Sequence, residues 1–302
     1  MPTTSRRTAG ILATTLGVTI WGASSTMVKS IDGIDGPGIA FHRLLIGAAV
    51  LVVVHLARGG RITWSLLRVS AFGGIAFGLD IVLFFSALRE TSVANATVIG
   101  ALQPILLAPI GIRLFGEQLG RRTLVWSAVA VAGTVVVVLG ATGLPAWSLR
   151  GDLLAVGALL SWTAYFVASK QARQQLGTLD YFTGLSVVAS VVIAPYALVV
   201  GADLSPAGPS DWVTIVVVTV LSGALGHVLL NWSHEHVPLQ VVSLLTLLVP
   251  VVATVGAVTF LDERVTGLQW LGMAAVVAAL AVVVLERPAR RELREVGEPV
   301  PT

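Results

Sequence analysis

PILLAPIGIRLFGEQLG, residues 104–120, is an almost unbroken apolar run that stops at one carboxylate, Glu117. PVVATVGAVTFLDERVTG, residues 250–267, is a second such run, with Glu263 at the same distance from its leading proline. Sliding the chain by 146 residues without gaps lays Pro104 on Pro250, Glu117 on Glu263 and Val136–Leu139 on Val282–Leu285. A slide of 141 lays Gly10 on Gly151, Trp21 on Trp162, Ala23 on Ala164 and Lys29 on Lys170. Proline, tryptophan and glutamate recurring in order point to a duplicated unit.

The composition says where that unit sits. The 302 residues are 55% hydrophobic and 12% charged, with mean hydropathy +0.89. A soluble domain carries about 25% charge, so this chain has too little polar surface to face water all round. The pI near 9.8 accompanies a net charge of only +3, and the basic residues lie in short clusters between apolar runs. That pattern suits membrane orientation better than a phosphate footprint, so no nucleic-acid partner is expected. With no cysteine, disulfides, thiolate metal sites and cysteine nucleophiles are excluded.

A membrane-spanning helix needs roughly 20 apolar residues. Ten such runs are read at 9–28, 38–57, 66–88, 92–116, 122–140, 152–172, 181–201, 212–233, 239–261 and 267–285. The first follows Arg6 and Arg7 like a signal peptide, but it is long enough to span and no convincing cleavage site follows; it reads as the first anchor. With the N-terminus inside, 14 Lys and Arg fall at cytoplasmic ends and 4 at outer ends, Arg43 remaining within the membrane. The positive-inside rule then places both termini in the cytoplasm. The expected fold is an all-α polytopic membrane protein: cytoplasmic residues 1–8, a first repeat at 9–140, a second at 151–286, and a charged cytoplasmic tail at 287–302. Five helices per repeat is odd, so the second repeat enters the membrane upside down. Inverted repeats place a site near the midplane, which can open to alternate sides. No Walker A sequence G-x-x-x-x-G-K-[ST] occurs, so an ATP-driven pump is not expected from this chain alone.

The unit ends LFFSALRETSVANATVIGALQPILLAPIGIRLFGEQL at 83–119 and recurs as LLNWSHEHVPLQVVSLLTLLVPVVATVGAVTFLDERV at 229–265. Together with TIWGASSTMVKS in helix 1 and FHRLL in helix 2, these stretches resemble the EamA-type repeat of the drug/metabolite transporter superfamily. The resemblance covers about residues 9–286. It implies ten helices in two inverted repeats, a central cavity, and often export of amino acids or related metabolites. It does not name a substrate. The second copy lacks an arginine where Arg43 would recur, so the halves are expected to be functionally unequal.

An ionisable group inside the membrane is a candidate functional residue by default. Asp80 lies eight residues from the outer end of helix 3, about 12 Å deep at 1.5 Å per residue. Arg43 lies at similar depth on helix 2. They are read either as a fixed ion pair (or Arg43 snorkelling outward), or as the sites for a substrate ammonium or coupling proton on Asp80 and a substrate carboxylate on Arg43. His227 sits beside the counterpart of Asp80, as an interhelical contact or a relay partner. Asn231 shares its face. Trp21, Trp162 and Tyr165 are cavity lining or packing; Asn95, Gln103 and Gln240 are interhelical glue or cavity lining. Pro104, Pro109 and Pro250 permit kinks. Glu117 and Glu263 are assigned to the N-terminus of the helix that follows each. Gly74 with Gly78, and Ser222 with Gly226, mark close packing. SHEHV at 233–237 is read as a solvated loop, with no metal site and no cofactor expected.

The functional expectation is a secondary transporter in the cytoplasmic membrane. Its partners are lipids, a small-molecule substrate and, as a candidate, coupled protons. The alternatives are a non-transporting scaffold or receptor, and a lipid-modifying enzyme. The enzyme would need clustered catalytic groups at one interface, whereas this chain has isolated charges.

Overall fold

The computed structural model describes residues 4–28, 31, 34–142, 148–205, 208–261 and 264–286. Lys29, Glu263 and the tail 287–302 lie outside the described residues, so the expectations placed on them are not addressed by it.

Among the described residues the secondary structure is helical throughout. The helices are α1 (Thr4–Val28), α2 (Gly36–Ala57), α3 (Trp64–Leu88), α4 (Val93–Gly100 and Gln103–Phe115), α5 (Arg121–Thr142) and α6 (Leu149–Ala172). They continue with α7 (Thr178–Val199), α8 (Pro209–Ser233), α9 (Leu239–Thr246 and Leu248–Leu261) and α10 (Gly267–Leu285). Nine of these, α2 to α10, are long and apolar enough to cross a membrane; α1, with 25 residues, is the tenth long helix. In a bilayer no water reaches the backbone, so intra-segment hydrogen bonding makes helix the necessary form of each run. Side-chain oxygens accept from the exposed N–H groups at several starts: Asp35 from Gly38, Thr63 from Leu66, Ser92 from Asn95, Ser148 from Gly151, and Thr266 in a capping box with Gln269.

Three departures from the expected helices matter. First, α1 begins at Thr4, so residues read as an N-terminal extension are helical. Second, α4 and α9 are each in two pieces, the first broken at Ala101–Leu102 and the second at Leu247. Proline at 104 and 250 cannot donate to the carbonyl four residues earlier, Gly100 or Thr246, and its ring crowds that carbonyl. The two breaks superpose under the 146-residue slide, so the duplication is visible in the backbone. Pro109, by contrast, sits inside a continuous helix. Third, α8 winds as a π-helix over Thr219–Gly226.

Packing follows the inverted repeat. The first helix of each half crosses into the other: α1 packs against α8 and α9, and α6 against α3 and α4. Helix α2 packs on α7, and α5 lies along α10. The α5–α10 seam is close enough that a Cβ on Gly272 would stand 2.8 Å from the Gly133 carbonyl oxygen. Gly74 and Gly78 seat α3 against Val188 and Val192 of α7 in the same way. The other eight helices leave a space between the halves; α5 touches it only through Thr134, and α10 packs behind α5.

Substituting Gly272→Val is expected to lower the melting temperature of the detergent-solubilised protein, by about 1–3 kcal/mol of overpacking. Gly267→Ala, whose Cβ meets nothing within 4 Å, should leave it nearly unchanged. Differential scanning fluorimetry compares the two.

Candidate functional site

A cavity of about 440 Å³ occupies the space between the halves. Its walls come from α1, α2, α3, α4, α6, α7, α8 and α9, with Thr134 of α5 reaching it from behind. It reaches the first turn of α4 at Ala96 and the last turn of α3 at Phe85. Both helix breaks border it, through Gly100 and Ala101 on α4 and Thr246 and Leu247 on α9. Irregular backbone at membrane depth is tolerated where it lines such a space.

Five of the ten candidate residues stand on the cavity wall: Trp21, Arg43, Asp80, Trp162 and His227. The two tryptophans, at matching positions of α1 and α6, have ring centroids 6.0 Å apart. Phe77 joins them, 6.4 Å from Trp162 and 4.9 Å from the His227 ring. Phe182 stacks on the other side of His227 at 5.6 Å. The lower cavity is therefore a nearly continuous aromatic surface. Its imidazole is packed between rings, with Trp21 at 4.5 Å, and its Nδ1 has no hydrogen-bond partner.

The two charges stand on this wall without touching each other. Arg43 and Asp80 form no ion pair; Nη2 of Arg43 donates instead to Ser222 Oγ at 3.3 Å, and its Nε has no partner. The Ser222 carbonyl accepts from Trp21 Nε1 at 3.0 Å. Both contacts fall on the π-helical segment of α8. Replacing i→i+4 by i→i+5 bonding rearranges the carbonyls of that stretch, a feature common at functional sites. Ser222 thus orients a charged and an aromatic wall residue together. The sequence reading saw it only as a small residue for close packing; the π winding that gives it this second use has no local sequence signature.

The other five candidates lie off the cavity wall. Asn95 donates to Asp152 Oδ1 at 3.1 Å, tying the start of α4 to the start of α6. Gln103 accepts from Ser243 Oγ at 2.8 Å, joining α4 to α9. Gln240 donates to Ser127 Oγ at 3.2 Å. Asn231 donates to the Tyr165 hydroxyl at 2.7 Å and to the His227 carbonyl at 2.8 Å. Tyr165 itself is fully buried beneath the aromatic floor.

Two sequence assignments are corrected at the far end. Glu117 does not serve the helix that follows it. Gly116, in the left-handed region at φ 64°, turns the chain out of α4, and the Glu117 carboxylate accepts from the backbone N–H groups of Leu239 (2.7 Å) and Gln240 (3.4 Å). It caps α9, in the other repeat, and also accepts from Lys170 Nζ at 2.5 Å. The physical attraction is the expected one, carboxylate to helix N-terminus, but the partner helix could be found only from the tertiary structure. Nor is 233–237 a solvated loop. His234 is wholly buried against Phe166, with ring centroids 4.9 Å apart, and Val237 is buried, while Glu235 is exposed. Among the described residues no group of three or more His, Asp and Glu side chains is placed to hold a metal.

The EamA-like transporter family model matches residues 8–139 and again 149–285. An uncharacterized transporter of Archaeoglobus fulgidus is 24% identical over 90% of this chain and 95% of its own. The threonine/homoserine exporter RhtA of Salmonella typhimurium is 25% identical, covering 85% of each chain. The aromatic amino acid exporter YddG of Ancylobacter novellus is 24% identical over 93% of this chain and 98% of its own. A solved crystal structure, 23% identical, shares the fold with a TM-score of 0.79 over 93% of this chain and 98% of that one.

The Asn231–Tyr165 contact is buried, so removing one partner strands the other at a cost of about 1–3 kcal/mol. Asn231→Leu should lower thermal stability by that order. The double variant Asn231→Leu/Tyr165→Phe should lose less than the sum of the two single changes, a coupling read by a double-mutant cycle on melting temperatures.

Proposed function

This chain belongs to the EamA-like transporter family, and from that premise we propose that it exports a zwitterionic small metabolite, an amino acid or close relative, across the cytoplasmic membrane. One observation carries the choice of substrate: a carboxylate and a guanidinium stand on one cavity wall, not paired with each other, beside an aromatic floor. Asp80 receives the substrate ammonium and Arg43, held by Ser222, receives the carboxylate in a charge-assisted contact. Trp21, Phe77 and Trp162 take the side chain, where removal of apolar area from water supplies affinity. The volume lies within the usual range for small-ligand pockets. The names of the threonine/homoserine and aromatic amino acid exporters among the relatives support the substrate class.

Transport follows by alternating access. The cavity between α1–α4 and α6–α9 reaches the α3–α4 end, where Phe85 and Ala96 line it, while Gln103, Gln240 and Ser243 are buried toward the Glu117 end; taken as the open and the closed end, these are exchanged when one repeat rocks against the other. The excess of Lys and Arg at the Glu117 end supports assigning that end, and both termini, to the cytoplasm. The state described here is then outward-facing. In this reading a proton on Asp80 when no substrate is bound is the coupling ion.

Asp80→Asn is expected to reduce amino-acid flux in proteoliposomes by about 10–100-fold, the value of one charge-assisted contact, while folded protein remains by size-exclusion chromatography. Unchanged flux would remove Asp80 from the mechanism. Arg43→Gln should weaken competition by amino acids but not by the matching amines that lack a carboxylate; equal loss for both would refute the assignment of Arg43.

A further inference from the structure

The closed end carries a feature that the substrate site does not use. Helices α4 and α9 pack together chiefly below their breaks, Gln103–Phe115 against Leu239–Thr246. Above the breaks Thr97 and Val249 stand on the cavity wall instead. The 146-residue slide maps the packed pair onto the other two pieces, Leu248–Leu261 and Val93–Gly100. The same chain can therefore form the mirror contact, opening the lower pair as the upper one closes. Glu117 bridges that lower pair, alongside the Ser243–Gln103 hydrogen bond.

Its carboxylate joins three helices from both halves. It ends α4, caps α9, whose start has no side-chain cap of its own, and accepts from Lys170 on α6. The pair is enclosed, with side-chain exposures of 5% for Glu117 and 17% for Lys170, and the Lys170 ammonium also lies 5.1 Å from the centre of the Phe115 ring. Such a pair is screened less by salt than a surface pair, and removing one partner leaves the other charge enclosed without compensation.

A second, independent observation concerns what the contact covers. Between the aromatic floor and Glu117, polar atoms of Gln103 (Nε2), Asn231 (Oδ1), Gln240 (Oε1) and His234 (both ring nitrogens) are buried without a hydrogen-bond partner. Each such atom costs about 1–3 kcal/mol while dry. A permanently closed core would be cheaper with apolar residues there, whereas a wall that is wetted in another state needs these polar ones. Burial and the nearby Lys170 and Arg173 push the His234 pKa down to about 3, so it is neutral in the closed state.

We propose that Glu117, with Lys170 and the N-terminus of α9, is the latch of the cytoplasmic gate, and that the path it opens runs over Gln103, Asn231, His234 and Gln240. The inference rests on the alternating-access reading. The latch is a positioning device and touches no substrate.

The absence of native cysteine makes the test direct. Two reporters are introduced singly: Ser243→Cys, at a fully buried position beside Gln103 in the closed path, and Thr97→Cys, on the open cavity wall. Their modification by a charged methanethiosulfonate is timed in lipid nanodiscs, with Glu117→Gln and, as a second variant, Lys170→Met. The expected result is reciprocal: about tenfold faster reaction at 243, a shift of about 1.4 kcal/mol, with slower reaction at 97. Rates unchanged at both positions, or rising at both as they would on loosening of the whole fold, overturn the latch. Flux is measured on the same proteins in proteoliposomes. Transport with unchanged reactivity refutes the latch alone; absence of flux from the protein with Glu117 and Lys170 intact refutes the transport reading.

Discussion

Everything in this molecule answers to one constraint: inside a bilayer, a backbone polar group has no water to turn to. Ten apolar runs must be helices for that reason, and any interruption must face protein or a cavity. The interruptions here are few, and they converge. The breaks of α4 and α9 and the π-helical stretch of α8 all border the central space. Proline creates two of them by withholding a donor, and the residues whose carbonyls lose it, Gly100 and Thr246, both border the cavity. The polar character of the site is thus partly a property of the backbone, set by where proline falls within two copies of one unit.

The duplication explains the architecture, and its imperfection explains the site. Helices α1 and α6 carry tryptophan at the same register, and α4 and α9 break at the same register. The charges are not duplicated. The position matching Asp80 is Gly226, where the α8 backbone passes close to α1: a Cβ on Gly17 would stand 2.9 Å from the Gly226 carbonyl oxygen. Helix α7, the counterpart of α2, contains no lysine or arginine. Each half therefore contributes different chemistry to a symmetric frame: the carboxylate and guanidinium come from the first, and Ser222 and His227 from the second. A symmetric pair of scaffolds suits rocking, while an asymmetric lining can bind an asymmetric molecule.

The frame was legible in the sequence because it is written in long-range periodicity and apolar length, which survive substitution of individual residues. Trp21, Arg43, Asp80, Trp162 and His227 were legible as polar or aromatic groups set deep in apolar runs, and the structure places them on one cavity wall. Asn95, Gln103, Tyr165, Asn231 and Gln240 carry the same kind of signal but face neighbouring helices, because sequence fixes depth along a helix more firmly than rotation about its axis. Glu117 shows the other limit. That a carboxylate would seek a helix N-terminus was readable; that it would choose α9 rather than the next helix depends on how two halves dock. His234 was hidden for the same reason, since a short polar segment between helices looks solvated until the fold covers it.

On the proposed reading, the unpaired charges also bear on how closure depends on cargo. Two opposite unit charges 4 Å apart attract by about 4 kcal/mol at an effective dielectric of 20, and by about 1 kcal/mol in water. Closing an empty cavity around a separated Arg43 and Asp80 would strip water from both without that compensation. A zwitterion supplies both partners at once and adds no net charge, so the loaded cavity can close without stranding either group. The empty protein has two other routes: the side chains can meet each other, or Asp80 can take a proton. The first would make the return step independent of pH, and the second would tie it to the proton gradient. The same two residues would then set both what is carried and what drives the return.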